Sequence, residues 1–397
     1  MGRLEIFDGL RGYFLVFMLI NHLTFTGGSI LLHVNHAELG FVQDAQGFVF
    51  LSGLLVGMVY ARRMAKDGFR QACQRMWKRA LELYAYAMGC LVVILLLSRL
   101  LHYSWVFWGA WLGQLIRGDL TFKVAAATLL YQPTFMDILP QYIFYLMAAP
   151  PLVWLCLNGR FAYVAIGSLL LWFAVQVGLH LPLVDGADHV LGGLRTNLTL
   201  RAGFDPLAWQ LLFVAGLVLG ALSSTRQLDW RRVFGPSQTM AIKAALAFLV
   251  FFAALRLAET FDLLSDDVMA RLAFLERRAE FGPIGMLNFA ALAYAVGWIL
   301  MAGPMAEASW VRRLAGWLTA LFSLPALRLL GRHSLQVYAF HVVIIYLMRG
   351  LDWHYGPFSN ATKILLTGFG LALLTLPALL REMPLGQMWR PRVMTSR

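Results

Sequence analysis

The sequence predicts an all-α, polytopic integral membrane protein of about ten transmembrane helices, with the N- and C-termini both cytoplasmic. Three observations carry that prediction. Hydrophobic residues fill 60% of the 397 positions and charged residues only 14%, roughly half the charged share of an ordinary soluble domain, so a water-soluble fold would lack polar surface to cover itself. The apolar residues recur in runs near the roughly 20 residues needed to cross about 30 Å of hydrocarbon. Positive charge gathers in every second connection between those runs. The spanning segments are helices, because each must satisfy its own backbone hydrogen bonds, and stretches such as Leu91 to Leu97 do not alternate as membrane β-strands would.

In chain order the runs place spans near 10–32, 44–61, 80–101, 138–157, 161–181, 207–223, 240–257, 284–303, 334–350 and 361–381. The segment from Trp105 to Ile116 is short and aromatic, which predicts an interfacial helix. Leu314 to Leu330 contains Pro325 and several small residues and reads as a re-entrant or surface helix. No linker, low-complexity tract or internal repeat divides the chain, so one transmembrane domain covers 1–397. The first span is too long, and its flank with Glu5 and Asp8 too acidic, for a cleaved signal peptide.

Orientation follows from the charges. The connection after the second span carries Arg62, Arg63, Lys66, Arg70, Arg75, Lys78 and Arg79, a cytoplasmic signature. Alternation then puts Arg160, the group Arg226, Arg231 and Arg232, the group Arg312, Arg313, Arg328 and Arg332, and the tail Arg390, Arg392 and Arg397 on that side. Asp185, Asp188, Glu259, Asp262, Asp266, Asp267 and Glu276 fall opposite. This bias accounts for the net charge of +12 and leaves no case for a nucleic-acid partner. Cys73, Cys90 and Cys156 form neither a disulfide framework nor a zinc cluster, and no metal site is expected.

Ionisable groups inside a span cost at least a few kcal/mol, so each one raises a functional question. In the first span His22 lies eleven residues after Arg11. Eleven steps of 100° bring both side chains to one face, about 16 Å apart along the axis. Asp8 falls on nearly the same face. That arrangement suits a long ligand with a charged head at the cytoplasmic rim and a reactive end in the bilayer. The alternative is that Arg11 reaches to headgroups, Asp8 caps the helix and pairs with Arg11, and His22 bonds a neighbouring helix.

The second span opens with Asp44 and Gln46 at its periplasmic mouth. Further in, Gly53 and Gly57, bordered by Ser52, form a small-residue face for close helix packing. The fourth opens with Asp137, followed on the same face by Gln141, with Tyr142 beside it; Asp137 is either a helix cap or a site acid. The ninth carries Ser334, Tyr338 and His341 at i, i+4 and i+7, one polar stripe on an apolar helix, with Arg332 and His333 at its cytoplasmic end.

These residues also resemble a known family. Arg11 and His22 match the arginine–ten residues–histidine pattern of the membrane acyltransferases of acyltransferase family three. FLSG at 50–53 and the run HSLQVYAFH ending at His341 resemble that superfamily's second-helix and late-helix motifs. More narrowly, FDGLRGYFLVFMLINHL, MDILPQY at 136–142, DPLAWQLLFVAG at 205–216 and LGRHSLQVYAFH at 330–341 resemble the OpgC branch, which is associated with succinylation of osmoregulated periplasmic glucans. The resemblance implies a cytoplasmic acyl-CoA donor, succinyl-CoA in first place, and a hydroxyl of a periplasmic glucan or other envelope glycan as acceptor. It also implies a bacterial inner-membrane location among membrane lipids, and no tightly bound cofactor.

On that reading His22 is the general base, and Asp44 or Asp137 orients its ring. Gln46, Gln141, Tyr338 or His341 supplies the oxyanion donors, and Arg11 with Arg332 attracts the phosphates of CoA. Arg195 and Arg201 are the candidate cations for a succinyl carboxylate. The rival from another class is a proton-coupled transporter or flippase of an envelope glycan or lipid-linked sugar, since intramembrane histidines and acids also serve proton relays.

Overall fold

The computed structural model describes residues 3–383, which form helices joined by turns; a lone Tyr131–Arg201 bridge is the one β-type pairing among the described residues. In chain order the main helices are α1 (Arg3–His22), α2 (Asp44–Asp67), α3 (Phe69–Leu100), α4 (Ile138–Leu157), α5 (Phe161–Gln176), α6 (Leu181–Leu194) and α7 (Pro206–Ser224). They continue with α8 (Thr239–Thr260), α9 (Asp266–Glu276), α10 (Pro283–Met301), α11 (Ser309–Phe322), α12 (Pro325–Arg332), α13 (Ser334–Tyr355), α14 (Asn360–Leu374) and α15 (Leu376–Glu382). Among the described residues eight helices are long and apolar enough to cross a membrane, and the bent pairs α5–α6 and α11–α12 raise the number to ten if each counts as one span. This is the all-helical, multi-pass membrane architecture that the composition predicts.

The layering follows from which faces are apolar. α2, α7 and α13 are the most enclosed of the spanning helices, whereas α8, α10 and the α14–α15 span bury less than a third of their apolar length. On the outer helices Leu246, Val250, Phe251, Leu365 and Phe369 are exposed, an apolar surface of the kind that faces lipid.

Two glycine seams fix the inner helices. A side chain on Gly53 or Gly57 would fall 1.9 or 2.1 Å from the carbonyl oxygens of Phe213 and Leu217, and one on Gly216 or Gly220 would fall 2.2 or 2.1 Å from those of Phe50 and Leu54. α2 and α7 therefore touch backbone to backbone, the packing that small residues permit in lipid. The second seam joins α1 to the α11–α12 pair: Gly9 faces the Phe322 carbonyl, Gly12 that of Leu327, and Gly331 that of Asp8.

The structure corrects several boundaries. The span expected at 10–32 is a helix only to His22; beyond it Gly27 and Gly28 adopt φ of 79° and 72°, and short 3-10 turns follow at Ile30–Val34 and His36–Leu39. The basic segment after the second span is not a loop, because α2 runs to Asp67, the chain breaks at Gly68 with φ 85°, and α3 starts at Phe69. The expected interfacial helix at 105–116 is cut into the short pieces Ser104–Phe107, Gly109–Leu112 and Gly113–Arg117, with Gly113 at φ 57°. Its Trp108 is fully buried and donates to the Tyr346 carbonyl at 2.9 Å.

The ambiguous segment at 314–330 is the α11–α12 pair, bent by 54° where Pro325 starts the second helix, and locked on α1. The fifth span stops at Gln176 and turns by 68° into α6, which, like α9, lies in a stretch that the sequence reads as a connection. The basic tail Arg390, Arg392 and Arg397 lies outside the described residues.

Candidate active site

α1 carries Arg11 near its middle and His22 at its C-terminal end on one face, and the helices around it join them by a line of rings. The Arg11 guanidinium stands 5.4 Å from the centre of the Phe48 ring of α2. Phe48 stacks at 6.3 Å on Tyr338 of α13, and Tyr338 lies 4.5 Å from His341. The His341 ring is 5.7 Å from that of His22, and His22 rests on Phe135 at 4.5 Å. The turn bearing Phe135 is itself pinned, since the Tyr338 hydroxyl donates to the Phe135 carbonyl at 2.9 Å and the Tyr346 hydroxyl to that of Thr134 at 3.1 Å.

Beside this line is a narrow cleft lined by Phe48, Val49 and Ser52 of α2 and by Ile138, Gln141, Tyr142 and Tyr145 of α4, with room for about one water molecule. Buried polar atoms that lack a partner gather along the same path: Arg11 Nε, Ser52 Oγ, both amide atoms of Gln141, His22 Nδ1 and His341 Nε2. Such atoms are expensive in a folded interior and each calls for an explanation. His341 Nδ1 bonds the Tyr338 carbonyl of its own helix. A carbonyl only accepts, so Nδ1 carries the proton and Nε2 is the basic nitrogen.

The remaining predicted residues divide by place. Asp44 is buried but bonded elsewhere than to His22: Asn21 donates to its Oδ2 at 2.6 Å, and His36 lies 3.8 Å from its Oδ1. Tyr13 and His36 are in contact at 3.3 Å, so Tyr13, His36, Asp44 and Asn21 form a second polar row on another face of α1. Burial pushes the His36 imidazole, outside the spans, down to about 4.

Gln46 caps its own helix through the Gln43 amide at 3.3 Å and faces Gly285. Asp137 sits at the N-cap position of α4 without making a capping bond, and its Oδ2 occupies the space where a side chain on Gly203 would lie. Asp8 is within electrostatic reach of Arg11, Arg328 and Arg332. Arg332 pairs with Glu382 at 3.2 Å, and Ser334 is buried in the first turn of α13. Arg195 is committed to Asp119 at 2.8 Å, and Arg201 to the Tyr131 hydroxyl and the carbonyls of Ala110 and Trp111. Neither is a free cation for a ligand carboxylate. Among the described residues no group of three or more His, Cys, Asp or Glu could hold a metal ion.

Sequence reasoning misses Tyr13, Asn21, His36, Phe48, Phe135, Asp352 and Lys363. Tyr13 and Asn21 share a face of α1 with Phe17 at helical spacing and were open to discovery. Lys363 lies inside a predicted span and answers to the same cost argument as His341. His36 and Phe135 sit in turns, where no periodicity marks them.

In chemical terms, the site offers two imidazoles with free basic nitrogens at the far end of an apolar, aromatic-walled path from a buried guanidinium. A search of curated proteins and a search of solved structures each return no match. The family model described as OpgC protein matches residues 3–384, nearly the whole length, and the chain belongs to the OpgC family.

Proposed function

We propose that the protein is a membrane-embedded O-acyltransferase of the bacterial inner membrane. It moves an acyl group, succinyl in first place, from acyl-CoA on the cytoplasmic side to a hydroxyl of a periplasmic glucan or related envelope glycan. Family membership supports an acyltransferase role in glucan modification. The observation that carries the rest is the path itself: Arg11 at one end, His22 and His341 with unpartnered nitrogens at the other, and buried polar atoms waiting along it.

In the reaction the acceptor hydroxyl oxygen attacks the thioester carbonyl carbon while an imidazole nitrogen of His22 takes its proton. The C–S bond breaks, and the proton passes to the departing CoA thiolate. His341 Nε2 is the second acceptor in reach of that proton. An alcohol near pH 7 is a poor nucleophile, and a positioned base typically contributes 10²–10⁴-fold. Among the four oxyanion donors expected, Gln141 is favoured by position, since its amide lines the cleft beside the path, whereas the Tyr338 hydroxyl is used on the Phe135 carbonyl. Arg11 binds donor phosphates, and because only the acyl group and the flexible arm that bears its thioester enter the path, the charged CoA head never crosses.

Mass spectrometry of periplasmic glucans and other envelope glycans, from cells with and without the protein, tests this reading. Loss of an acyl mass with loss of the protein, and CoA release by the purified protein, are the expected results. Proton-coupled flux without CoA release would support the transporter instead.

A further inference from the structure

A short stretch that leaves α1 immediately after His22 is held by three charged side chains. Arg349 Nη1 donates to the Thr24 carbonyl at 3.3 Å. Asp352 Oδ2 accepts from both the amide and the hydroxyl of Thr26, at 2.8 and 2.7 Å. Lys363 Nζ donates to the carbonyls of Thr26 and Gly28, at 2.8 and 2.7 Å.

Asp352 and Lys363 are 2% and 5% exposed. Charges placed that deep are costly and call for strong partners. Here the partners are backbone groups of a segment with no other regular structure, together with Arg349 at 3.8 Å from Asp352. A helix end leaves its last carbonyls without internal partners and frays unless something fixes the chain beyond it.

The register explains what the fixing is for. Asp352 follows His341 by eleven residues on α13, the spacing that puts Arg11 and His22 on one face of α1. A single face of α13 therefore presents His341 to His22 and Asp352 to Thr26. The geometry points to Asp352 and Lys363 as positioning residues that set the His22–His341 separation by clamping the chain just past His22. This rests on the acyl-transfer reading above.

The test uses the full-length protein in detergent or membranes with two readouts, amide hydrogen exchange over residues 23–28 and acyl transfer from acyl-CoA. Asp352→Ala removes the acceptor for the Thr26 amide, so that amide should lose protection. Turnover should fall about tenfold or more while KM for acyl-CoA stays within about twofold, as expected when geometry rather than donor binding is lost. Asp352→Asn keeps an acceptor oxygen and should retain most of both. Thr26→Val and Lys363→Met should move both readouts the same way, and they carry the test if Asp352→Ala does not fold.

Unchanged exchange in these variants, or opened exchange with wild-type turnover, would overturn the clamp. Absence of acyl transfer by the unmodified protein would instead remove the functional reading; the exchange data would then still decide whether the clamp exists.

Discussion

The imidazoles of His22 and His341 stand with ring centres 5.7 Å apart and planes inclined by 33°, one at the end of α1 and the other in the first part of α13. Each keeps one buried nitrogen without a partner. A pair so placed acts on one substrate or on neither, and several measurements follow.

His22→Gln should lower turnover by about 10²–10⁴-fold while acyl-CoA binding persists, because it removes the base and leaves the donor contacts. His341→Gln should fall in the same range. The double variant should lose little more than the worse single one, since groups that act as a unit are not additive. CoA release, in membranes where each variant is present at wild-type level, checks this; normal turnover by His22→Gln would sink the proposal.

Arg11→Ala should act on donor affinity. Losing a charge-assisted bond to phosphate costs about 1.5–3 kcal/mol, so KM for acyl-CoA should rise about 10- to 100-fold with turnover largely kept. Arg332→Ala should do less, as Glu382 already neutralises that side chain. Complete loss of turnover with unchanged donor affinity in the Arg11 variant would remove Arg11 from the rim.

Gly53→Val should destabilise. Its Cβ alone would lie 1.9 Å from the Phe213 carbonyl, so α2 and α7 would have to part, at about 1–3 kcal/mol or more. Gly167→Ala, on α5 with nothing within 4 Å, should be neutral or slightly stabilising. Thermal unfolding of the detergent-solubilised variants separates the two.

The turns at residues 30–39 should loosen in acid. His36 normally titrates near 6.5, and burial lowers it to about 4 in the folded chain. The opened segment therefore takes up a proton where the folded one resists, and stability is lost as pH falls through 6.5 toward 4. The groups facing His36 are the Tyr13 hydroxyl and Asp44. Corrected for the intrinsic pH dependence of exchange, the protection factors of this segment should fall over that window in the wild type and less in His36→Gln; equal profiles would show that His36 is not the group responsible.

Topology is open to reporter fusions. Fusions at Gly68 and after Arg232 should report cytoplasm, and fusions near Asp188 and Asp267 should report the opposite side. A reversed signal at Gly68 would put the donor end of the site on the wrong face.

Much of this was readable in the chain because membranes simplify the physics. Apolar length marks a span, and a polar residue within one stands out. That logic finds Arg11, His22, Ser52, Gln141, Tyr338 and His341, and the structure gathers them along one path. It does less well with Asp44 and Gln46, whose partners are Asn21 on α1 and the Gln43 amide, since position at a helix mouth does not tell which way a side chain turns. At α11–α12 it reads the break from Pro325 but not the glycine seam that decides where the broken pieces rest.

Those seams bear on how a ligand gains admission. Where glycine meets carbonyl oxygen there is no side chain to swing aside, so the walls that α2 shares with α7 and α1 with α12 behave as masonry. The sides of the path that can yield are those built of rotatable groups, chiefly Gln141 and Tyr142 on α4 and Tyr338 on α13. With space for little more than a water molecule in the cleft, an acyl chain would, on the acyl-transfer reading, be let in by these side chains changing rotamer. Their bulk, more than helix movement, would then govern which acyl chains the protein accepts.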